Sequence, residues 1–250
     1  MSAATGGRVL AWAWMGTVPY RAAWALQSSL AEDRRSGRLA DDLVLLLEHP
    51  PVYTMGRNGE ARHVPAGPEA LRAAGADYVD VDRGGSVTFH GPGQLVAYPI
   101  VDLAASFPIV GDPVHGDVVL YLRALEEALI GTAAGYGVSV GRRPPYTGVW
   151  SGTAKLAAIG VKLARGVTTH GVALNVCNDL SWFARVVPCG IDGAGVASLD
   201  TLGAPGLTPR GVAPRLAAEL ARAFGARYAE ADARSRALLV AHTASAAAAA

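Results

Sequence analysis

Strand-like segments fill the first two thirds of this 250-residue chain and follow one another without the regular strand-helix alternation of a doubly wound fold. The clearest pair covers residues 154–164 and 167–176, which meet at Arg165-Gly166 in the pattern of a hairpin. A tight hairpin joins antiparallel strands. The sequence therefore predicts an α+β fold, in which a mixed, largely antiparallel sheet is packed with helices.

The remaining elements are predicted from hydrophobic periodicity and from glycine and proline positions. Strands are predicted over residues 8–16, 43–48, 78–82 and 138–143, and over 86–100 with a break at Gly91-Pro92-Gly93. Helices are predicted after Pro19, over residues 118–135 and after Thr208-Pro209, and residues 147–150 are interpreted as a loop. With no internal repeat or clear linker, residues 8–225 are predicted to form a single domain. Residues 226–250 are predicted to be a C-terminal extension whose alanine-rich tail is disordered.

Composition excludes several classes of function. Half of the residues are hydrophobic and the net charge is only +1, so neither nucleic acid nor an anionic membrane is an expected partner. No uncharged run is long enough to span a membrane, and the N-terminal residues lack the pattern of a secretory signal. Two cysteines form no disulfide framework and no zinc-finger spacing. A cytoplasmic protein without a metal site is the resulting expectation.

Two reactive side chains bracket the stretch from residue 155 to residue 190. Lys155 and Lys162 are the only lysines in a chain that otherwise takes its positive charge from arginine. A lysine can give up its proton where an arginine cannot, so a retained lysine hints at such a task. Cys189 lies between Pro188 and Gly190, in a tight turn that could present a thiol. Surface charge for the lysine and a buried structural role for the cysteine remain open alternatives.

A second notable stretch, RGGSVTFHGPGQLVAYP, covers residues 83–99. Its glycines permit close approach of a ligand to the backbone, and Arg83 and His90 are candidate ligand-binding side chains. The glycine spacing matches no nucleotide-binding fingerprint. A hairpin with a hydrogen-bonded core histidine is the alternative. His170-Gly171 repeats the His90-Gly91 pair, which leaves open a weak metal site or a Cys-His pair of a thiol hydrolase formed by Cys189 with either histidine.

Taken together, these motifs resemble the lipoyl(octanoyl) transferase family, whose members belong to the biotin/lipoate protein ligase superfamily. The resemblance spans roughly residues 18–200. It rests on several separate motifs in the same order, namely Tyr20, Trp24 and Gln27 of the first helix, EHPPVYTMGR (48–57), RGGSVTFHGPGQLVAYPI (83–100), TGVW (147–150), KLAAIGV (155–161), HGVALNV (170–176) and PCGI (188–191).

The resemblance implies the catalytic-domain fold of the biotin and lipoate protein ligases and an acyl-enzyme mechanism with a Cys/Lys dyad. By motif position, Cys189 is the nucleophile that forms the acyl thioester, and Lys155 lowers its pKa or acts as acid and base. The substrate-binding residues that the resemblance implies are Arg83, Gly84, Gly85, Ser86, Val87, Thr88, Phe89, His90, Ala158, Ile159, Gly160, Gly171, Val172 and Ala173. Cys177 has no counterpart in the family pattern and is interpreted as structural.

The implied reaction is transfer of an octanoyl group from octanoyl-acyl carrier protein to a lysine of lipoyl domains, as the first step of endogenous protein lipoylation. The acceptors would be the lipoyl domains of 2-oxoacid dehydrogenase complexes and the glycine cleavage H protein. No further cofactor is implied, because the acyl group arrives on the phosphopantetheine of the carrier. Two alternatives remain: an ATP-dependent lipoate or biotin protein ligase on the same fold, and a non-catalytic acyl-binding module.

Overall fold

The computed structural model of the chain describes residues 7–187 and 195–248, without the side chains of residues 244–248. The strands are β1 (Val9–Thr17), β2 (Asp42–Glu48), β3 (Val52–Met55), β4 (Asp77–Asp80), β5 (Val87–His90), β6 (Gln94–Ile100), β7 (Pro108–Ile109), β8 (Asp112–Gly116), β9 (Gly141–Arg143), β10 (Tyr146–Ser151), β11 (Ala154–Ala164), β12 (Val167–Asn175), β13 (Gly195–Val196) and β14 (Arg227–Glu230). The α-helices are α1 (Tyr20–Arg35), α2 (Gly67–Ala73), α3 (Leu103–Ser106), α4 (Val118–Ala134), α5 (Pro209–Ala223) and α6 (Ala233–Ala248).

Nine strands of the described chain form one mixed sheet, in the order β14-β1-β2-β6-β12-β11-β10-β9, with β13 added beside β11. The pairs β14-β1, β1-β2 and β13-β11 are parallel. From β2 to β9 every neighbouring pair is antiparallel. The predicted α+β class, with its largely antiparallel sheet, is therefore confirmed, as is the hairpin at Arg165-Gly166 that joins β11 to β12.

Helices cover both faces of this sheet, because its central strands carry apolar side chains on both faces. In β2, Leu43, Leu45 and Leu47 belong to the core cluster beneath α1. Val44 and Leu46 belong to the opposite cluster, which α4 and α5 cover. Side chains of successive strand residues point to opposite faces, so a strand between two helical layers must be apolar throughout. The short apolar run over residues 43–48 is thus the buried strand that the sequence predicts.

A smaller sheet of β4, β3 and β5 packs beside the large one. Its strand β5 continues into β6 of the large sheet through the turn at Gly91-Pro92-Gly93. Gly93 has a φ of +85°, and a Cβ at this position would lie 2.7 Å from the backbone nitrogen of Asn178. Only glycine therefore allows this turn to pack against the chain after β12. The connection sets the small sheet against β11 and β12, and a cleft lies between them.

The structure departs from the sequence analysis near the end of β9 and at the C-terminus. Residues 147–150, interpreted as a loop, lie in β10, because β11 supplies a partner strand that local sequence does not reveal. In the predicted extension, β14 pairs with β1, and α6 packs on α1 with His242 bonded to the buried carboxylate of Asp33 at 2.6 Å. The backbone of α6 continues through Ala248. Residues 249–250 lie outside the described part of the chain, and the disorder expected for the alanine-rich tail stays a prediction. None of the helices described here is long and apolar enough to cross a membrane.

Candidate active site

A cavity of about 620 Å³ occupies the cleft between the small sheet and the hairpin of β11 and β12. Its walls include all of the predicted substrate-binding residues except Phe89, together with Lys155. Segments separated by about seventy residues in sequence therefore meet at one site. His170, a candidate from its His-Gly pair, also lines the cavity, as does Val161. Further lining residues for which the sequence predicted no ligand contact are Tyr20, Asn58, Glu60, Arg62, His63, Tyr98, Leu122, Pro145, Tyr146 and Thr147.

Phe89 is the one predicted binding residue that lies elsewhere. Its ring stacks against Trp182 with a centroid separation of 5.2 Å and packs against Tyr53 at the same separation. It is 1% exposed and belongs to the apolar cluster of the small sheet. Its role is to hold β5 in place, so a motif that runs continuously in sequence contributes only part of its residues to the cavity.

Lys155 reaches the cavity from an irregular point in β11. Trp150 pairs with Lys155 and Val149 with Ala157, so one extra residue, Leu156, is inserted in β11. Such a bulge redirects the side chains around it, and bulges are frequent next to active sites. The Nζ atom of Lys155 lies 4.7 Å from the centroid of the Trp150 ring. The bulge and the ring together fix the direction in which the ammonium group leaves the sheet.

Cys189 lies outside the described residues, but both flanks of its segment are described. On one side, the backbone nitrogen of Val187 donates a 2.9 Å hydrogen bond to the carbonyl of His63. On the other side, Gly195 and Val196 pair in parallel with Ala154 and Lys155. His63 and Lys155 both line the cavity. The chain therefore enters and leaves residues 188–194 at the cavity wall, with one end tied next to Lys155.

Arg83 shapes the cavity from within the protein. Only 7% of the residue is exposed. Its Nη2 donates to the carbonyl of Thr54 at 2.7 Å and to its hydroxyl at 2.8 Å, and Nη1 donates to the carbonyl of Gly84 at 2.9 Å. The backbone nitrogen of Gly84 in turn donates to Val161 at 2.9 Å. Gly160 keeps the space beside this loop open, because a Cβ there would lie only 3.0 Å from the Gly84 carbonyl and would force a small shift.

His90 is held in one neutral tautomer. The amide nitrogen of Gln94 donates to Asn175 at 2.9 Å, so the Gln94 oxygen is the atom that faces His90 Nδ1 at 2.8 Å. That ring nitrogen must therefore carry the proton and donate it. Burial lowers the pKa of His90 well below its usual value, with His49 and Arg83 adding to the effect. The sequence left two roles open for His90, a core histidine or a ligand-binding one. In the structure it is hydrogen-bonded in the core and also lines the cavity.

His170 forms the centre of a second network at the cavity wall. Its Nε2 lies 3.0 Å from the carboxylate of Asp82, which also forms an ion pair with Lys162. Burial would raise the pKa of Asp82, but the hydrogen bonds from Lys162 and His170 outweigh it and keep that pKa low. Nε2 is therefore the donor, which leaves Nδ1 to accept from the Tyr20 hydroxyl at 3.3 Å. These partners are up to 150 residues apart in sequence, which is why sequence patterns gave no sign of the network.

The left-handed backbone of His170 adds to the evidence for a constrained site. Its φ is +56°, an uncommon conformation for a residue other than glycine. The fully buried Gln27 of α1 holds it there by accepting a hydrogen bond from the His170 backbone nitrogen at 2.6 Å. Backbone strain of this kind concentrates at functional sites, where the surrounding structure has to enforce it.

The lowered pKa of the buried His49 predicts how the free energy of unfolding depends on pH. Burial lowers its pKa to about 4, against the opposing effect of its hydrogen bond to Val18. An unfolded histidine titrates near 6.5, so between about pH 6.5 and 4 the unfolded chain binds a proton that the folded chain does not. Stability should therefore fall by up to about 3 kcal/mol as the pH drops through this window.

Urea denaturation at pH 7.5, 6.5, 5.5 and 4.5 would measure this dependence. His49→Asn, whose side-chain amide can donate to Val18, should reduce the slope relative to the parent protein. A slope equal to that of the parent would contradict the assignment. His90 and His170, whose pKa values are also lowered mainly by burial, should contribute to the slope that remains.

Metal binding has no visible basis in the described chain. Across residues 7–187 and 195–248, no group of three or more histidine, cysteine, aspartate or glutamate side chains is placed to hold an ion. His90 and His170 line the same cavity, but each uses its ring nitrogens in hydrogen bonds to protein groups. The cavity is lined instead by Lys155, by glycine-rich backbone and by a mixture of charged and apolar side chains.

Comparison with known proteins gives one consistent result. Residues 19–221 match the family described as the lipoyl protein ligase A/B catalytic domain. The chain is 52% identical over 187 residues to the octanoyltransferase of Rubrobacter xylanophilus, covering 74% of this chain and 80% of that protein. It is 50% identical over 219 residues to the octanoyltransferase of Chloroflexus aggregans, covering 85% and 94% of the two chains.

The solved structures that resemble this one share its fold at low sequence identity. A lipoate-protein ligase A bound with ATP aligns with a TM-score of 0.68 at 16% identity, over 96% of this chain and 95% of the other. A bipartite lipoate protein ligase from Thermoplasma acidophilum, solved in a study that included its E2 lipoyl domain, gives the same TM-score and identity, over 96% and 92% of the two chains. These likenesses establish the predicted ligase-type catalytic-domain fold.

Proposed function

This chain belongs to the lipoyl protein ligase A/B catalytic-domain family and transfers octanoyl groups, and we propose that it does so through a thioester on Cys189. The donor in this proposal is octanoyl-acyl carrier protein, and the acceptor is a lysine of a lipoyl domain. The observation that supports the proposal most directly is the convergence on one cavity of Lys155, nearly all predicted binding residues and both flanks of the Cys189 segment. We further propose a cytoplasmic setting, in which a catalytic thiol stays reduced.

In the first step, the Cys189 thiolate attacks the thioester carbonyl of the donor. The bond between this carbonyl and the phosphopantetheine sulfur breaks, the carrier leaves as a thiol after taking up one proton, and the octanoyl group remains on Cys189. The Lys155 ammonium stabilises the thiolate before the attack, because a neighbouring cation lowers a thiol pKa. One thioester replaces another, so no ATP is consumed.

In the second step, the amine of the acceptor lysine attacks the octanoyl thioester. An amide bond forms and the Cys189 sulfur leaves. The acceptor must lose its ammonium proton before the attack and a second proton afterwards, and Lys155 in its neutral form can receive one of them. Backbone amides of the loop around Gly84 and of β11 are candidates for stabilising the oxyanion.

The apolar part of the cavity fits a saturated acyl chain. Ala158, Ile159, Val161 and Val172 line it with small or branched aliphatic side chains. Burying about six methylenes at ~0.8 kcal/mol each contributes roughly 5 kcal/mol, enough to favour a medium chain without preventing release. The polar residues Arg83, His90 and His170 use their side chains to bond protein groups, which leaves this slot suited to an uncharged ligand.

The ATP-dependent ligase alternative makes a different prediction about energy source. We expect octanoylated lipoyl domain to form when the protein is mixed with octanoyl-acyl carrier protein and a lipoyl domain in the absence of ATP. Free octanoate with ATP and Mg²⁺ should give no product. Intact mass of the lipoyl domain distinguishes the two reactions. Product that appears only with octanoate and ATP would refute the transferase mechanism and support the ligase, and no product under either condition would favour an acyl-binding module.

A further inference from the structure

The contact between Lys155 and Trp150 is specific in its geometry. The two residues are cross-strand partners at the bulge in β11. The Lys155 Nζ atom lies 4.7 Å from the Trp150 ring centroid, within the range of a cation–π interaction. Gly148, two residues before Trp150, allows β10 to lie close to β11, because a Cβ there would be only 2.6 Å from the Ala157 carbonyl. The bulge and the ring thus act on one lysine side chain.

The indole at this position does not serve as a hydrogen-bond donor. Trp150 is 2% exposed, and its Nε1 is buried with no hydrogen-bond partner in the described part of the chain. A buried N–H without an acceptor carries a desolvation cost that a phenylalanine would avoid, although its smaller ring would leave part of the space unfilled. The advantage of tryptophan over phenylalanine at this position is its electron-rich ring face, which gives the strongest cation–π attraction.

We propose that Trp150 is a positioning residue that holds the Lys155 ammonium at the cavity wall through the face of its ring. The inference rests on the proposed function, in which Lys155 assists Cys189. A ring face attracts the cation without adding a counter-charge, whereas a carboxylate in the same place would cancel the charge that stabilises a thiolate. Trp150 thereby keeps Lys155 both placed and effective as a cation.

Other charged groups approach the same region. Arg143 of β9 lies with its Cζ 5.1 Å from the Trp150 centroid. Glu126 of α4 accepts a hydrogen bond from the Gly148 nitrogen at 3.2 Å. The titratable and charged residues that share the cavity with Lys155 are Tyr20, Glu60, Arg62, His63, Arg83, His90, Tyr98, Tyr146 and His170. Because the indole contacts both Arg143 and Lys155, the effect of changing Trp150 is measured with and without Lys155.

The test compares Trp150→Phe and Trp150→Tyr with Trp12→Phe, all in a Cys177→Ser background. Trp12 is a matched control, because its Nε1 is also buried without a partner in the described chain and it lies outside the cavity, stacked on Tyr228 at 6.1 Å. The rate of Cys189 alkylation by iodoacetamide at pH 7 is followed by mass spectrometry. We expect Trp150→Phe to react about three- to tenfold more slowly, Trp150→Tyr to be intermediate and Trp12→Phe to match the parent.

A double-mutant cycle separates positioning from packing. In a Lys155→Ala background, Trp150→Phe should have no further effect on alkylation, because the cation it positions is absent. Equal losses with and without Lys155, or a Trp150→Phe rate equal to that of Trp12→Phe, would overturn the inference. Failure of the parent to form an octanoyl adduct would instead refute the proposed function, since alkylation reports the coupling of Trp150, Lys155 and Cys189 without any acyl donor.

Discussion

Replacing Cys189 with serine should lower octanoyl transfer at least about a thousandfold, because a serine hydroxyl is far less ionised and less nucleophilic than a thiol near neutral pH. The base of the proposed dyad is Lys155. In the variant it would have to deprotonate a serine hydroxyl, which is much less acidic than a thiol. The measurement is the rate at which octanoylated lipoyl domain accumulates from octanoyl-acyl carrier protein.

The second cysteine supplies the matched control for this substitution. Cys177 lies at the surface, but neighbouring protein atoms partly desolvate its thiol, and this effect together with the carboxylates of Glu48 and Asp200 raises its pKa. It is therefore a poor nucleophile, and Cys177→Ser should retain activity within about threefold of the parent. A Cys189→Ser variant that keeps more than a tenth of the parent rate, or a Cys177→Ser variant that loses activity, would contradict the assignment of the nucleophile.

Replacing Lys155 with arginine should lower the transfer rate by about a hundredfold or more. The substitution keeps the positive charge but removes a group that can exist as a neutral amine at working pH. The effect should be larger on transfer to the lipoyl domain than on loading of Cys189, because only the second step requires the enzyme to accept a proton from an incoming ammonium group. Rapid-mixing measurements of the two steps would separate them.

Lys162 is the matched control for Lys155, as the other lysine of the chain. It forms an ion pair with Asp82 that an arginine can also make, and it is not among the residues that line the cavity. Lys162→Arg should therefore stay within about threefold of the parent rate. Near-normal turnover in Lys155→Arg would exclude the acid-base role, and a comparable loss in Lys162→Arg would mean that any lysine-to-arginine change disturbs the site.

Local sequence was sufficient for features that depend on neighbouring residues. The turn at Arg165-Gly166, the apolar run at residues 43–48 and the break at Gly91-Pro92-Gly93 each predicted the element found in the structure. The resemblance between motifs added the segments that line the cavity, because motif order carries information that periodicity does not. Phe89 marks the limit of that approach, since a residue within such a motif can face the core instead of the cavity.

Contacts between distant segments could not be predicted. Tyr20, Asp82 and His170 come from three separate parts of the chain, and only the packing of α1, the small sheet and β12 brings them together. Residues 147–150 were interpreted as a loop for the same reason: they form part of β10 only because they pair with β11, which is a contact between separate segments. The role of Trp150 beside Lys155 also depends on strand register, which a single-residue bulge sets.

Thioester capture by Cys189 is the central claim, and intact-protein mass tests it most directly. The protein is mixed with octanoyl-acyl carrier protein without ATP or acceptor, and its mass is measured before and after treatment with hydroxylamine. The proposed mechanism predicts a gain of one octanoyl group that hydroxylamine removes and that Cys189→Ala does not acquire. An unchanged mass with an active donor, or an adduct that persists in Cys189→Ala, would contradict it.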